Sequence, residues 1–89
     1  MSLAIVIPVY NEEKNIKKLL DDWNKVVNKY YKKKYKFIII NDGSTDNTHE
    51  ILKSFNKKFL IYVLQKNAGH GNACVKGYKL AIKLKFKII

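Results

Sequence analysis

Three stretches of this chain are apolar without a polar break: Leu3 to Ile7, Phe37 to Ile40 and Phe59 to Leu64. A run that never alternates fits a strand covered on both faces, as in a parallel sheet. Each run is followed by a helical pattern. Behind the first, Ile16, Leu19, Leu20, Trp23, Val26, Val27 and Tyr30 recur at steps of three and four, with lysines and aspartates filling the opposite face. Asn11 is placed to cap that helix, with Glu12 and Glu13 in its first turn, where negative charge is favoured. A short helix from about Asn47 to Asn56 would bury Ile51, Leu52 and Phe55. A third carries Val75, Tyr78, Leu80, Ala81, Ile82 and Leu84, and Lys83 to Ile89 reads as that helix ending and a fourth strand beginning. Strands and helices in alternation, joined by right-handed crossovers, predict an α/β fold. It is a Rossmann-like α/β/α sandwich with a mostly parallel sheet of three to four strands.

The chemistry sits at the boundaries. Pro8 has no N–H for a ladder, so the first strand is expected to end there. The second breaks abruptly into Asn41-Asp42-Gly43-Ser44-Thr45-Asp46-Asn47-Thr48, and parallel sheets bind ligands just beyond the carboxyl ends of their strands. Asp42 stands at that edge. An ordinary turn explains the same residues, with Asp42 and Gly43 turning the chain and Asp46 or Asn47 capping the next helix. After the third strand, Gly69 and Gly71 allow a tight turn or a close approach to a ligand, and the first N–H groups of the helix suit an anion. This segment is neither the dinucleotide fingerprint nor a P-loop: Cys74 stands where a third glycine belongs, and no Gly-Lys-Ser/Thr follows. His70 reads as a loop bystander. The topology gathers residues 8–12, 41–46 and 67–71 on one edge, which favours Asp42 as a site residue over Asp42 as a turn.

Composition bounds the picture further. A chain of 89 residues makes one small domain, 1–89, or a piece of a larger one, and buries only about 60 to 65% of its unfolded surface. Its residues are 47% hydrophobic and fall in separated runs, so it is globular although 28% are charged. The net charge of +11 comes from 18 lysines against seven acids, with no arginine. Arginine makes the commonest specific contact to guanine, so no sequence-specific nucleic-acid partner is expected. The lysine-tyrosine run Tyr30 to Lys36 could hold single strands or an anionic membrane surface, but lysines also suit a helix C-terminus. Leu3 to Val9 lacks a basic leader and fits a strand better than a signal peptide. No apolar run approaches the ~18 residues of a membrane span, and Cys74, the sole cysteine, reads as a small core residue. The expected location is cytoplasmic, with the inner face of the membrane as an option.

Three segments, taken in order, resemble the inverting family 2 of nucleotide-sugar glycosyltransferases, which has the GT-A fold. They are Ile5-Val6-Ile7-Pro8-Val9-Tyr10-Asn11-Glu12-Glu13, Ile40 to Thr48, and Asn67-Ala68-Gly69-His70-Gly71-Asn72-Ala73. The third is the loosest, and looks closest to members that use polyprenyl-phosphate acceptors. The resemblance implies a UDP- or GDP-sugar donor and a saccharide or lipid-linked acceptor. It places Pro8, Tyr10 and Glu12 around the nucleoside, Asp42 on the base, Ser44 beside the nucleotide, and Asn67 and Gly69 in the third loop. It also implies Mg²⁺ or Mn²⁺ in the full-length parent, held by an Asp-x-Asp element that has no counterpart before Ile89. The base that would activate the acceptor lies further on in the family, so no catalytic residue is assigned and the 89 residues alone are expected to be inactive. Two alternatives stay open: a nucleotide-binding module without catalysis, and a lysine-rich protein of nucleic-acid or membrane surfaces. A fourth strand begun at Lys83 to Ile89 leaves an open edge, so homo-oligomers are expected.

Overall fold

A computed structural model describes residues 3–55 and 58–89. Its elements are β1 (Leu3–Val9), α1 (Ile16–Tyr31), β2 (Tyr35–Asp42), α2 (Thr48–Lys53), β3 (Leu60–Gln65) and α3 (His70–Lys83). The strands form a parallel sheet in the order β1-β2-β3, with Ile5 opposite Phe37 and Phe37 opposite Leu60. The fourth strand shrinks to one bridge: Ile88 lies parallel to Leu3 on the far side of β1 and accepts a 2.8 Å hydrogen bond from Ala4.

The central strand explains why the apolar runs never alternate. Phe37 and Ile39 point into a cluster with Ile16 and Leu20 of α1 and Leu52 of α2. Ile38 and Ile40 point the other way, against Ala73 and Ala81 of α3. All four are fully buried, so each residue of this run removes apolar surface from water on its own side of the sheet. Tyr35 and Phe59 meet Phe37 edge-on, which extends the first cluster toward the strand starts.

Several expectations need correction. β1 runs through Pro8 to Val9. Because the Ala4 N–H points away from β2 toward Ile88, the alternation of the strand aims the Pro8 nitrogen to the same outer side. No bond to β2 is lost there. Asn11 does not cap α1, and Glu12 and Glu13 lie before the helix, whose first turn holds no acid. A turn intervenes, since the amides of Asn15 and Ile16 both bond to the Glu12 carbonyl. On α1 the apolar stripe is only half used: Ile16 and Leu20 are buried, while Leu19, Trp23, Val26 and Tyr30 are exposed. α3 likewise buries small residues, Ala73, Gly77 and Ala81, and leaves Val75, Tyr78 and Ile82 outside. Cys74 is partly exposed rather than in the core. α2 ends at Lys53, and Phe55 packs against the first cluster from beyond it; Asn56, the expected last residue of that helix, lies outside the described residues.

Small residues on α3 are what let it lie close to the sheet. A Cβ at Gly77 would stand 2.2 Å from Cγ1 of Val6 and 3.4 Å from Cγ1 of Ile40. Alanine is better than glycine inside a helix by about 1 kcal/mol, whereas overpacking a filled core costs roughly 1 to 3 kcal/mol. The clash wins. Gly77→Ala is therefore expected to lower the urea midpoint, and adding Val6→Ala to recover most of the loss; a midpoint raised by Gly77→Ala alone would show that the contact has slack.

Candidate functional site

The three βα connections meet at the carboxyl edge of the sheet, and a dense set of hydrogen bonds holds them there. The loop after β1 is tied to the loop after β2 at four places. Ser44 Oγ accepts the Asn11 amide at 2.9 Å, and the Thr45 amide donates to Asn11 Oδ1 at 2.7 Å. Thr48 Oγ1 accepts the Glu12 amide at 2.9 Å, and Asp46 Oδ2 accepts the Glu13 amide at 3.4 Å. These bonds hold Asn11 at φ +52, a left-handed conformation that asparagine tolerates better than most residues. They also explain the failed cap: Asn11 finds its partners across the edge instead of in α1. Of the two candidate caps for α2, Asp46 does the capping, because its Oδ1 accepts both the amide and the hydroxyl of Thr48, whereas Asn47 makes no side-chain cap bond. Burial raises the Asp46 carboxyl, but the bonds from Thr48 and Glu13 outweigh it and leave the carboxyl below the usual range.

Beneath this stitching runs a chain of partly buried polar groups with the fully buried Asn41 at its centre. Ser44 donates to Asn41 Oδ1 from both its amide and its hydroxyl, and Asn41 Nδ2 donates to the Tyr62 hydroxyl at 2.8 Å. That hydroxyl lies 2.7 Å from Nδ1 of His49. The donors can all point one way, from the Asn11 amide through Ser44, Asn41 and Tyr62 to Nδ1 of His49. Asn41 has no exposed surface, so full pairing is what makes its burial tolerable.

Asp42 joins the second loop to the third. Its Oδ1 accepts from Gln65 Nε2 and from the Ala68 amide, both at 2.8 Å, and its Oδ2 accepts the Gly69 amide at 3.0 Å. The Gln65 bond first, then the Ala68 and Gly69 amides and the nearby His70, hold the carboxyl below the ordinary range against the opposing pull of burial. Gly43 completes the junction: it sits at φ +72, and a Cβ there would come 2.7 Å from the backbone nitrogen of Asn67. Neither the angle nor the space suits a side chain.

The result is a cavity of about 320 Å³ lined by Pro8, Val9, Tyr10, Asp42, Asn67, Gly69 and His70. Five of the seven sequence-predicted site residues line it. Glu12 and Ser44 do not; Glu12 gives its amide to Thr48, and Ser44 sits behind the cavity, bracing Asn11. His70, read from sequence as a bystander, belongs to the lining. Asn11, Gln65 and the Asn41-Tyr62-His49 chain were missed as supports, since their partners stand 13 to 34 residues away in sequence.

The Glycosyl transferase family 2 pattern matches residues 4–82, which takes in all three loops. The chain belongs to glycosyltransferase family 2. It is 40% identical over 98% of its length to an uncharacterized protein of Methanocaldococcus jannaschii, of which it covers 37%. A dolichyl-phosphate beta-glucosyltransferase of Dictyostelium discoideum is 36% identical over 84% of the chain, and a poly-beta-1,6-N-acetyl-D-glucosamine synthase of Staphylococcus aureus is 40% identical over 89%. The chain covers 26% and 19% of these two, so it spans well under half the length of the relatives it matches. No solved structure matches it. Membership brings a transferase family, and the parallel sheet with its flanking helices is the Rossmann-like arrangement of the GT-A fold. Among the described residues, no helix is long and apolar enough to cross a membrane.

The low-lying Asp42 carboxyl fixes a pH dependence. The group titrates near 3.9 in an unfolded chain and lower in the fold, so its stabilisation is complete above the unfolded value and is lost as pH falls through the folded one. Asp42→Asn is expected to be less stable than the native chain at neutral pH, with the gap closing below about pH 4. Thermal melts across pH 2 to 7, about the span in which carboxylates titrate, test this; a gap that does not change with pH would mean that the charge of Asp42 does not hold the third loop.

Proposed function

We propose that this chain binds the nucleoside diphosphate of a sugar donor, UDP- or GDP-linked, at the edge where the three loops meet. The observation that carries the reading is the cavity of about 320 Å³ that Asp42 helps to line, within the usual size range of small-molecule sites, roughly 300 to 1,000 Å³. Three of the carboxylate's lone-pair positions are taken by Gln65, Ala68 and Gly69, which leaves one on Oδ2. A ring N–H of uracil or guanine suits that position, because an ionised carboxylate accepts and never donates. Tyr10, about half exposed, lines the same cavity and can offer a ring face to the base, and Gly69 and His70, at the amide end of α3, line it too, which suits a diphosphate.

The reaction in this reading is a single displacement with inversion at the anomeric carbon. An acceptor oxygen bonds to that carbon as the bond to the diphosphate oxygen breaks, the acceptor proton passes to a base, and the nucleoside diphosphate leaves. The chain's own residues hold the donor and exclude water from the base. Among the described residues, no group of three or more His, Cys, Asp or Glu could hold a metal ion; the Mg²⁺ or Mn²⁺ that the family resemblance implies belongs, in this reading, to a longer parent. The acceptor in this reading is a saccharide or a lipid-linked group, in keeping with a dolichyl-phosphate beta-glucosyltransferase and a poly-beta-1,6-N-acetyl-D-glucosamine synthase among the relatives.

Calorimetric titration with UDP, GDP, ADP and CDP tests the reading. Binding is expected for UDP or GDP over the other two. Asp42→Ala should weaken it about 10- to 100-fold, the range for losing a hydrogen bond to a charged group. Tyr10→Ala, outside the bonds that hold the third loop, should also weaken it while leaving the melting temperature unchanged. Equal affinity for all four nucleotides, or affinity unaltered in both variants, would remove the site from this edge.

A further inference from the structure

Tyr10 lines the donor cavity from a loop whose shape is set outside that cavity. The next residue, Asn11, sits at φ +52, and a left-handed conformation of this kind persists only where the surroundings hold it. Its amide goes to Ser44 Oγ at 2.9 Å, and its Oδ1 takes the Thr45 amide at 2.7 Å. Ser44 is held in turn by Asn41 Oδ1, at 3.1 Å from the Ser44 amide and 2.6 Å from its hydroxyl. Asn41 continues the face of β2 that carries Phe37 and Ile39. Tyr62 stands opposite Ile39 on β3, and its hydroxyl meets Asn41 Nδ2 at 2.8 Å.

The direction of these bonds follows from their chemistry. A backbone N–H can only donate, so the Ser44 amide turns Asn41 with Oδ1 toward the loop and Nδ2 toward β3. Nδ2 also only donates, so the Tyr62 oxygen accepts there and its proton points to Nδ1 of His49, 2.7 Å away. Asn41 has no exposed surface. Without the Tyr62 hydroxyl, Asn41 has two courses: to leave Nδ2 unpaired, or to turn and withdraw Oδ1 from Ser44. A buried amide left unpaired costs more than an ordinary hydrogen bond contributes, so the loss is passed on to the loop.

We propose that Tyr62, which is not part of the cavity lining, is a positioning residue for Tyr10. Its hydroxyl holds Asn41, Asn41 holds Ser44, and Ser44 holds the Asn11 turn that presents Tyr10 to the donor base. The inference rests on the nucleotide reading for what Tyr10 contacts, and not for how Tyr10 is held.

Amide hydrogen exchange of the ligand-free protein and calorimetric titration with UDP and GDP test it on Tyr62→Phe, which removes the hydroxyl and keeps the ring that packs against the core. Exchange is expected to quicken at the Ser44 and Asn11 amides and to stay unchanged at Ala68 and Gly69, whose amides are held by Asp42 instead. Affinity is expected to fall roughly 3- to 10-fold, because apparent affinity scales with the fraction of molecules whose site is already formed. In a Tyr10→Ala background the same substitution should cost no further affinity, since the residue it positions is gone. Ser44→Ala cuts the chain one link nearer to Tyr10, and should quicken exchange at Asn11 while the Ser44 amide keeps its bond to Asn41. A purely structural Tyr62 predicts a different pattern, with exchange quickened evenly in all three loops and affinity lost equally with and without Tyr10. Either of those results overturns the proposal, as does unchanged exchange at Asn11 in Tyr62→Phe or in Ser44→Ala. If the native chain binds neither nucleotide, the nucleotide reading fails, and the exchange pattern alone decides whether Tyr62 holds the loop.

Discussion

Burial of β2 on both faces is the constraint from which the rest of the structure follows. A strand flanked by β1 and β3 and covered by α1 and α2 on one side and α3 on the other can be reached only by crossovers. In a parallel sheet each crossover leaves from the carboxyl edge and returns to the amino edge. The molecule thus has two unlike ends. One collects the polar loops that begin helices, and the other collects the turns that end them.

At the carboxyl end the loops would be short, polar and mobile if each had only itself to bond with. They are instead bonded to one another, and the residue types at the motif positions follow from that need. Ser44, Thr48 and Asp46 accept the Asn11, Glu12 and Glu13 amides in turn, and Thr45 donates its own amide back to Asn11 Oδ1. Gly43 is required because its neighbour's backbone occupies the place of a side chain. Asp42 joins the second loop to the third: its carboxylate accepts from Gln65, Ala68 and Gly69, and it borders the cavity between the loops.

Much of this was legible in the sequence, and the parts that were not share a cause. Unbroken apolar runs located β1, β2 and β3 and implied their two-sided burial, because a local pattern reports directly on how many faces are covered. The edge and the place of Asp42 followed from topology. Asn11 and Glu12 were misread because residues 11–13 satisfy every local rule for a helix start, and what overrides those rules is a partner more than 30 residues away. The same limit hid the chain from Asn41 to His49. Periodicity also overstated the buried face of α1: Leu19, Trp23, Val26 and Tyr30 keep the helical spacing of a core stripe yet lie outside. Spacing shows that a face is apolar, and it does not show what covers it.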